Sequence, residues 1–257
     1  MMGFFDLPAP LFSVIDALLA EFLSATIRLI IWALFGGGLS MALYRWFSKQ
    51  DRLAELKPKI KQAQRQLANF DGEFSELRSL IRENLRLSWQ RLGLVAGPAL
   101  LAALPLLFLL VWASNHFGYQ TPTPGASVQI TLQPASSRLH WQPESAVMNQ
   151  AADNTWLIQW PNPTDQVNLL SEQGEVIATL PTEELTPILH QRQWWNWLVD
   201  NPGGHLPTDT QLEIMEIALP RQSFLELGPE WMRGWEFLFL SVALGCSLTI
   251  QWVWKVH

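Results

Sequence analysis

The chain of 257 residues has one cysteine, Cys246, which excludes a disulfide framework and a multi-cysteine metal site. Charge is also scarce. Asp, Glu, Lys and Arg make up 16% of the residues, against about 25% in soluble domains. There are only two tyrosines beside 14 tryptophans and 13 phenylalanines. The five histidines (His116, His140, His190, His205 and His257) show no metal-ligand spacing, and no HExxH, GxSxG or phosphate-loop pattern occurs. Neither catalytic residues nor a metal site are therefore expected. A net charge of −6 does not favour DNA as a partner.

What is present is apolar sequence gathered into blocks, which excludes a disordered chain and a single ordinary soluble domain. A membrane span needs about 20 mostly apolar residues. Gly93–Ser114 and Phe237–Trp254 carry no charge, and the latter is flanked by Trp231 and Trp235 on one side and Trp252 and Trp254 on the other. Indole rings favour the headgroup level, so this pattern reads as a span with an aromatic belt at each boundary. A third block, Phe22–Tyr44, contains one charge, Arg28, and the run Gly36-Gly37-Gly38, which suits close helix approach in lipid. The start, MMGFFDLPAP, lacks the basic region of a cleaved signal peptide. Residues 1–21 read either as an amphipathic interfacial segment or as an extension of the first span.

Basic residues set the expected orientation. Eleven of the 17 Lys and Arg lie between Arg45 and Arg91, whereas residues 115–234 have four against thirteen Asp and Glu. The positive-inside rule places 45–92 in the cytoplasm and 115–234 outside, with the N-terminus outside and residues 255–257 as a cytoplasmic tail. The expected localisation is the cell inner membrane, with spans at 22–44, 93–114 and 235–254. Within the basic loop, Leu53, Leu56, Ile60, Ala63, Leu67, Phe70, Phe74, Leu77 and Ile81 repeat at steps of three and four, a heptad seam. The short return path to the next span requires a reversal at Asn69-Phe70-Asp71-Gly72, giving an antiparallel coiled-coil hairpin of arms 50–68 and 73–90. This hairpin reads as a spacer or dimerisation coil, or as a basic surface for lipid, ribosomal RNA or a partner chain.

Residues 115–234 alternate in strand fashion at Val128–Leu132, Trp156–Trp160, Val176–Leu180 and Leu212–Leu219, separated by proline- and glycine-rich turns. The expected fold class is therefore a membrane α-helical protein, with three transmembrane helices and a cytoplasmic hairpin. It carries an inserted extracytoplasmic mainly-β domain of six or seven strands, with an immunoglobulin-like sandwich as its candidate form. Pro187–Val199, with Trp194, Trp195 and Trp197, is predicted as a short helix whose rings cover the sheet, or as a carbohydrate platform.

The candidate site is Arg28. An arginine at the centre of a span costs about 2.5–3.5 kcal/mol on insertion scales, and such residues usually face a bundle interior or a wet cavity. Glu21, Ser24 and Arg28 share one helical face by spacing, and Glu236 at the outer start of the last span is a candidate counter-charge. Two readings stand: a snorkelling arginine, or a hydrated positive groove.

This order of elements resembles the YidC/Oxa/Alb membrane-protein insertase superfamily. It is most similar to the compact three-span branch of archaeal YidC-like proteins and the insertase subunit of the ER membrane complex. The local resemblance lies in Leu56-Lys57-Pro58-Lys59-Ile60 with the basic run Lys61 to Arg65, similar to the "QPKI"-like start of the family's hairpin, and in Pro98 and Pro105 of the second span. It covers about residues 11–114 and 235–257. Arg28 lies farther before Pro58 than the family's groove arginine, and the outer domain has no counterpart in the short members. The resemblance implies an insertase without cofactor or nucleotide, and a client path lined by Arg28, Ser24 and Ser40. In it, Lys57, Pro58, Lys59, Lys61 and Arg65 of the hairpin receive nascent membrane-protein clients or touch the ribosome or translocon. The alternative is a membrane-anchored scaffold or assembly factor whose outer domain binds an envelope partner.

Overall fold

A computed structural model describes residues 3–72, 74–134, 139–152 and 154–254. The tail 255–257 lies outside the described residues. The chain divides into two compact units. One joins the residues up to Leu29 with Leu110–Leu238, and the other joins Ile30–Leu109 with the residues from Phe239 onward.

Among the described residues three helices are long and apolar enough to cross a membrane: α2 (Ala25–Phe47), α4 (Phe74–Phe117) and α6 (Trp235–Trp254). Ahead of them lies α1 (Ala9–Ala20), a separate helix ended by the turn at residues 21–24. Between α2 and α4 lies α3 (Gln50–Ala68).

In the second unit the glycine run has a defined use. A Cβ on Gly37 would meet the Ala243 carbonyl oxygen of α6 at 2.7 Å, and one on Gly36 would meet Leu109 of α4 at 2.8 Å. Hydrogen atoms at these positions let α2 approach two helices at once. Ser40 adds a polar tie by donating its hydroxyl to the Ala102 carbonyl of α4 at 2.7 Å. At the far end of α2, Arg45 lies over the Trp254 ring at 5.2 Å.

The hairpin of this unit reverses after Asn69, whose N–H bonds back to the Arg65 carbonyl to close α3. Leu53, Ile60, Ala63 and Leu87 are buried, with Leu56 packed beside them. The heptad expected to run straight through the turn changes phase there. In α4 the inward positions are Leu77, Leu80, Asn84 and Leu87, while Ile81 is exposed. The cause is the non-helical turn, which breaks the 3.6-residue phase before the second arm begins. No break then separates arm from span: α4 is one helix of 44 residues, with Pro98 and Pro105 inside it.

The first unit contains the mainly-β region, eight strands in two antiparallel sheets among the described residues. They are β1 (Ser127–Gln133), β2 (His140–Gln142), β3 (Val147–Ala152), β4 (Thr155–Gln159), β5 (Asn168–Leu170), β6 (Val176–Thr179), β7 (Ile188–His190) and β8 (Ile214–Ile217). One sheet has the order β3-β4-β1-β8-β7, the other β2-β5-β6. Central β1 pairs with β4 at Ile130–Trp156 and with β8 at Ile130–Ile217. Its period-2 alternation turns Val128, Ile130 and Leu132 inward. They join Trp141, Leu169 and Ile177 of the smaller sheet in one core.

The tryptophan segment departs from the expected covering helix. Its first part is the edge strand β7, followed by one 3-10 turn at Trp194–Trp197. Gln193 and Asn196 close this turn as a reciprocal cap, and it is buried Asn196, not an indole, that points inward. Trp194 and Trp197 remain 79% and 59% exposed.

Candidate functional site

Helix α1 is almost wholly apolar, and its lone acid, Asp16, is completely buried. An ionised carboxylate there needs partners, because burying an unpaired charge costs several kcal/mol. Two converge on it. Arg28, in the first turn of α2, ion-pairs through Nη1 with Asp16 Oδ2 and also donates to the Asp16 main-chain oxygen at 3.3 Å. His116, at the end of α4, places Nε2 2.7 Å from the same Oδ2. For that contact to be a hydrogen bond, Nε2 must carry the proton.

Aromatic rings seal the group. The Arg28 guanidinium lies 5.7 Å from the centre of the Phe117 ring, and the Trp112 and His116 rings stack at 4.9 Å. Trp112 donates its indole N–H to Ser13 at 3.0 Å, one helical turn before Asp16. The Arg28 side chain is only 14% exposed, and its buried Nε has no acceptor among the described residues.

The residues grouped with Arg28 by sequence spacing lie elsewhere. Glu21 and Ser24 are exposed in and after the turn that follows α1, and Ser24 contributes its main-chain oxygen to the Arg28 N–H. Glu236 is exposed at the start of α6. Ser40 is engaged with Ala102. Lys57, Pro58, Lys59, Lys61 and Arg65 are all exposed on α3, outside the Leu53–Ile60–Ala63 seam. Helix α2 begins at Ala25, three residues after the expected start at Phe22, and this puts Arg28 in its first turn. Sequence reasoning missed Asp16 and His116. The available signal was a single acid in a twelve-residue apolar stretch.

Beside this cluster, in the same unit, opens a cleft of about 1000 Å³ whose lining includes Ser13, His116, Asp6, Glu183, Glu184 and His205. None of its lining residues is Lys or Arg. Asp200 on its wall accepts from His205 Nε2 at 2.8 Å, and the Asp200 N–H donates to Asp6 Oδ2 at 2.7 Å. Burial, and then the neighbouring Asp200 carboxylate, push the Asp6 carboxyl above its ordinary value. No group of three or more His, Cys, Asp or Glu able to hold a metal ion occurs among the described residues.

Compared with family models, curated proteins and solved structures, the chain matches none.

Proposed function

We propose that this protein is an insertase-like membrane chaperone of the cell inner membrane, easing entry of client transmembrane segments into the bilayer. The observation that carries this reading is Arg28. A guanidinium sits in the first turn of a membrane-length helix, held by a buried carboxylate, with one N–H unused. At the outer end of α2, the 14% of this side chain that stays exposed presents positive charge to a passing main-chain carbonyl or an acidic side chain of a client. The exposed basic residues Lys57, Lys59, Lys61 and Arg65 form the cytoplasmic receiving surface for clients or the ribosome, on a coiled-coil hairpin. Burial of the client's own apolar helix supplies the free energy. The mainly-β region is the extracytoplasmic domain, an immunoglobulin-like sandwich in this reading.

The acidic cleft favours a second reading, a scaffold whose outer domain holds a basic segment of an envelope partner. The experiment that separates them removes both charges together. Asp16→Asn with Arg28→Gln keeps hydrogen-bonding groups in place and leaves no orphan ion. The insertase reading expects a folded protein with several-fold slower client insertion in proteoliposomes. Undiminished insertion by this folded variant overturns it in favour of the scaffold.

A further inference from the structure

Three tryptophans on one short turn need an explanation, because exposed indoles do not stabilise a domain in water. In a 3-10 turn, residues i and i+3 eclipse. Trp194 and Trp197 therefore project on the same side, with half-exposed Trp195 beside them, and no residue of the turn is charged.

The turn is stitched to the start of the chain. Phe5 donates its N–H to the Leu198 carbonyl at 2.8 Å, and the Asp200 N–H donates to Asp6. Gly3 packs so closely that a Cβ there would meet Asp200 N at 2.6 Å. The stitched residues lead through exposed Leu7 into α1, where Leu11, Val14 and Leu18 are all exposed. In α1 their spacing of three and four makes a single apolar stripe on the face opposite Asp16 and Ser13. A turn of four residues then joins α1 to α2. The tryptophan turn, the apolar stripe and the head of a membrane-length helix are thus connected by a few residues within one compact unit.

We propose that the Trp194–Trp197 turn is a lipid-contacting foot of the β-rich domain. Its indoles lie in the headgroup region of the outer leaflet, continuous with the apolar stripe of α1. The occupant is the bilayer itself. An indole has an apolar body for the acyl boundary and an N–H for the wet side, and the uncharged turn needs no anionic headgroup. The inference rests on the reading of α2, α4 and α6 as spans.

The test uses the full chain in phosphatidylcholine vesicles, with Cys246→Ser as background and one nitroxide at a time on Trp194→Cys or Trp197→Cys. Each label leaves the other two rings of the turn in place. Leu244→Cys on exposed α6 serves as the bilayer reference and Glu172→Cys on the β-rich region as the water reference. The expected result is that labels at 194 and 197 collide more often with oxygen than with a water-soluble nickel chelate, at a ratio between the two references. Values equal to those at 172 overturn the proposal. So does protection from both reagents, which marks a protein contact instead. If the label at 244 also behaves like that at 172, it is the spanning reading that fails.

Discussion

At the scale of the residue, Asp16 carries the most weight. It is the only full charge inside α1, and both Arg28 and His116 address one of its oxygens. Breaking such a pair from one side leaves a buried ion without a counter-charge, which costs about 3–5 kcal/mol. Arg28→Ala is therefore expected to lower stability by roughly that amount, and Asp16→Ala likewise. The double variant should cost less than the two losses added, as denaturation of all three in mild detergent will measure. Asp6 behaves differently. Its carboxyl is raised, so the folded state binds a proton more tightly than the unfolded chain does. Its contribution is fully present below the ordinary carboxylate range and is lost as pH rises through the raised value. Asp6→Asn should gain thermal stability relative to the parent above that range, and the gain should shrink on acidification through it, by parallel melts from pH 3 to 7.

Elements were legible to the degree that their signals are local. The apolar blocks around α2, α4 and α6 have the length and the lack of charge that lipid demands, and the period-2 runs of β1, β4, β6 and β8 name their own inward residues. The phase of the α4 arm and the course of Pro187–Val199 were not legible, because each depends on a turn geometry that spacing alone does not encode. Asp16 escaped for a related reason. It is twelve residues from Arg28 and a hundred from His116, so helix-face arithmetic cannot pair them. Two predictions belong to this scale. Gly37→Val forces branched carbon into the Ala243 backbone, and overpacking of this kind costs about 1–3 kcal/mol, readable as a lower detergent-denaturation midpoint. Asn84, at an inward position one turn before Leu87, has a buried Oδ1 with no partner among the described residues. Asn84→Leu should raise the hairpin's melting temperature, followed by helical circular dichroism, because it removes an unsatisfied buried acceptor worth about 1–3 kcal/mol.

For the whole molecule, the division of charge between the basic hairpin and the acidic β-rich region is the basis of the proposed orientation. In intact cells a membrane-impermeant maleimide should label Glu172→Cys in a Cys246→Ser background. Lys59→Cys should react only after the inner membrane is opened. The reverse pattern would invert the topology and remove the basis for a cytoplasmic client-receiving hairpin.

The contact between Asp6 and Asp200 spans 194 positions of sequence. Synthesis runs from the N-terminal side, so the Asp6–Asp200 hydrogen bond forms only after 194 further positions have been made. During that interval Asp16 and Arg28 have each other, but neither the imidazole of His116 nor the anchorage at Leu198 exists for the first part of it. A chain stopped before Leu198 would lack the partners of Phe5 and Asp6, and synthesis of the segment Leu198–Asp200, ahead of β8, is the step that supplies them.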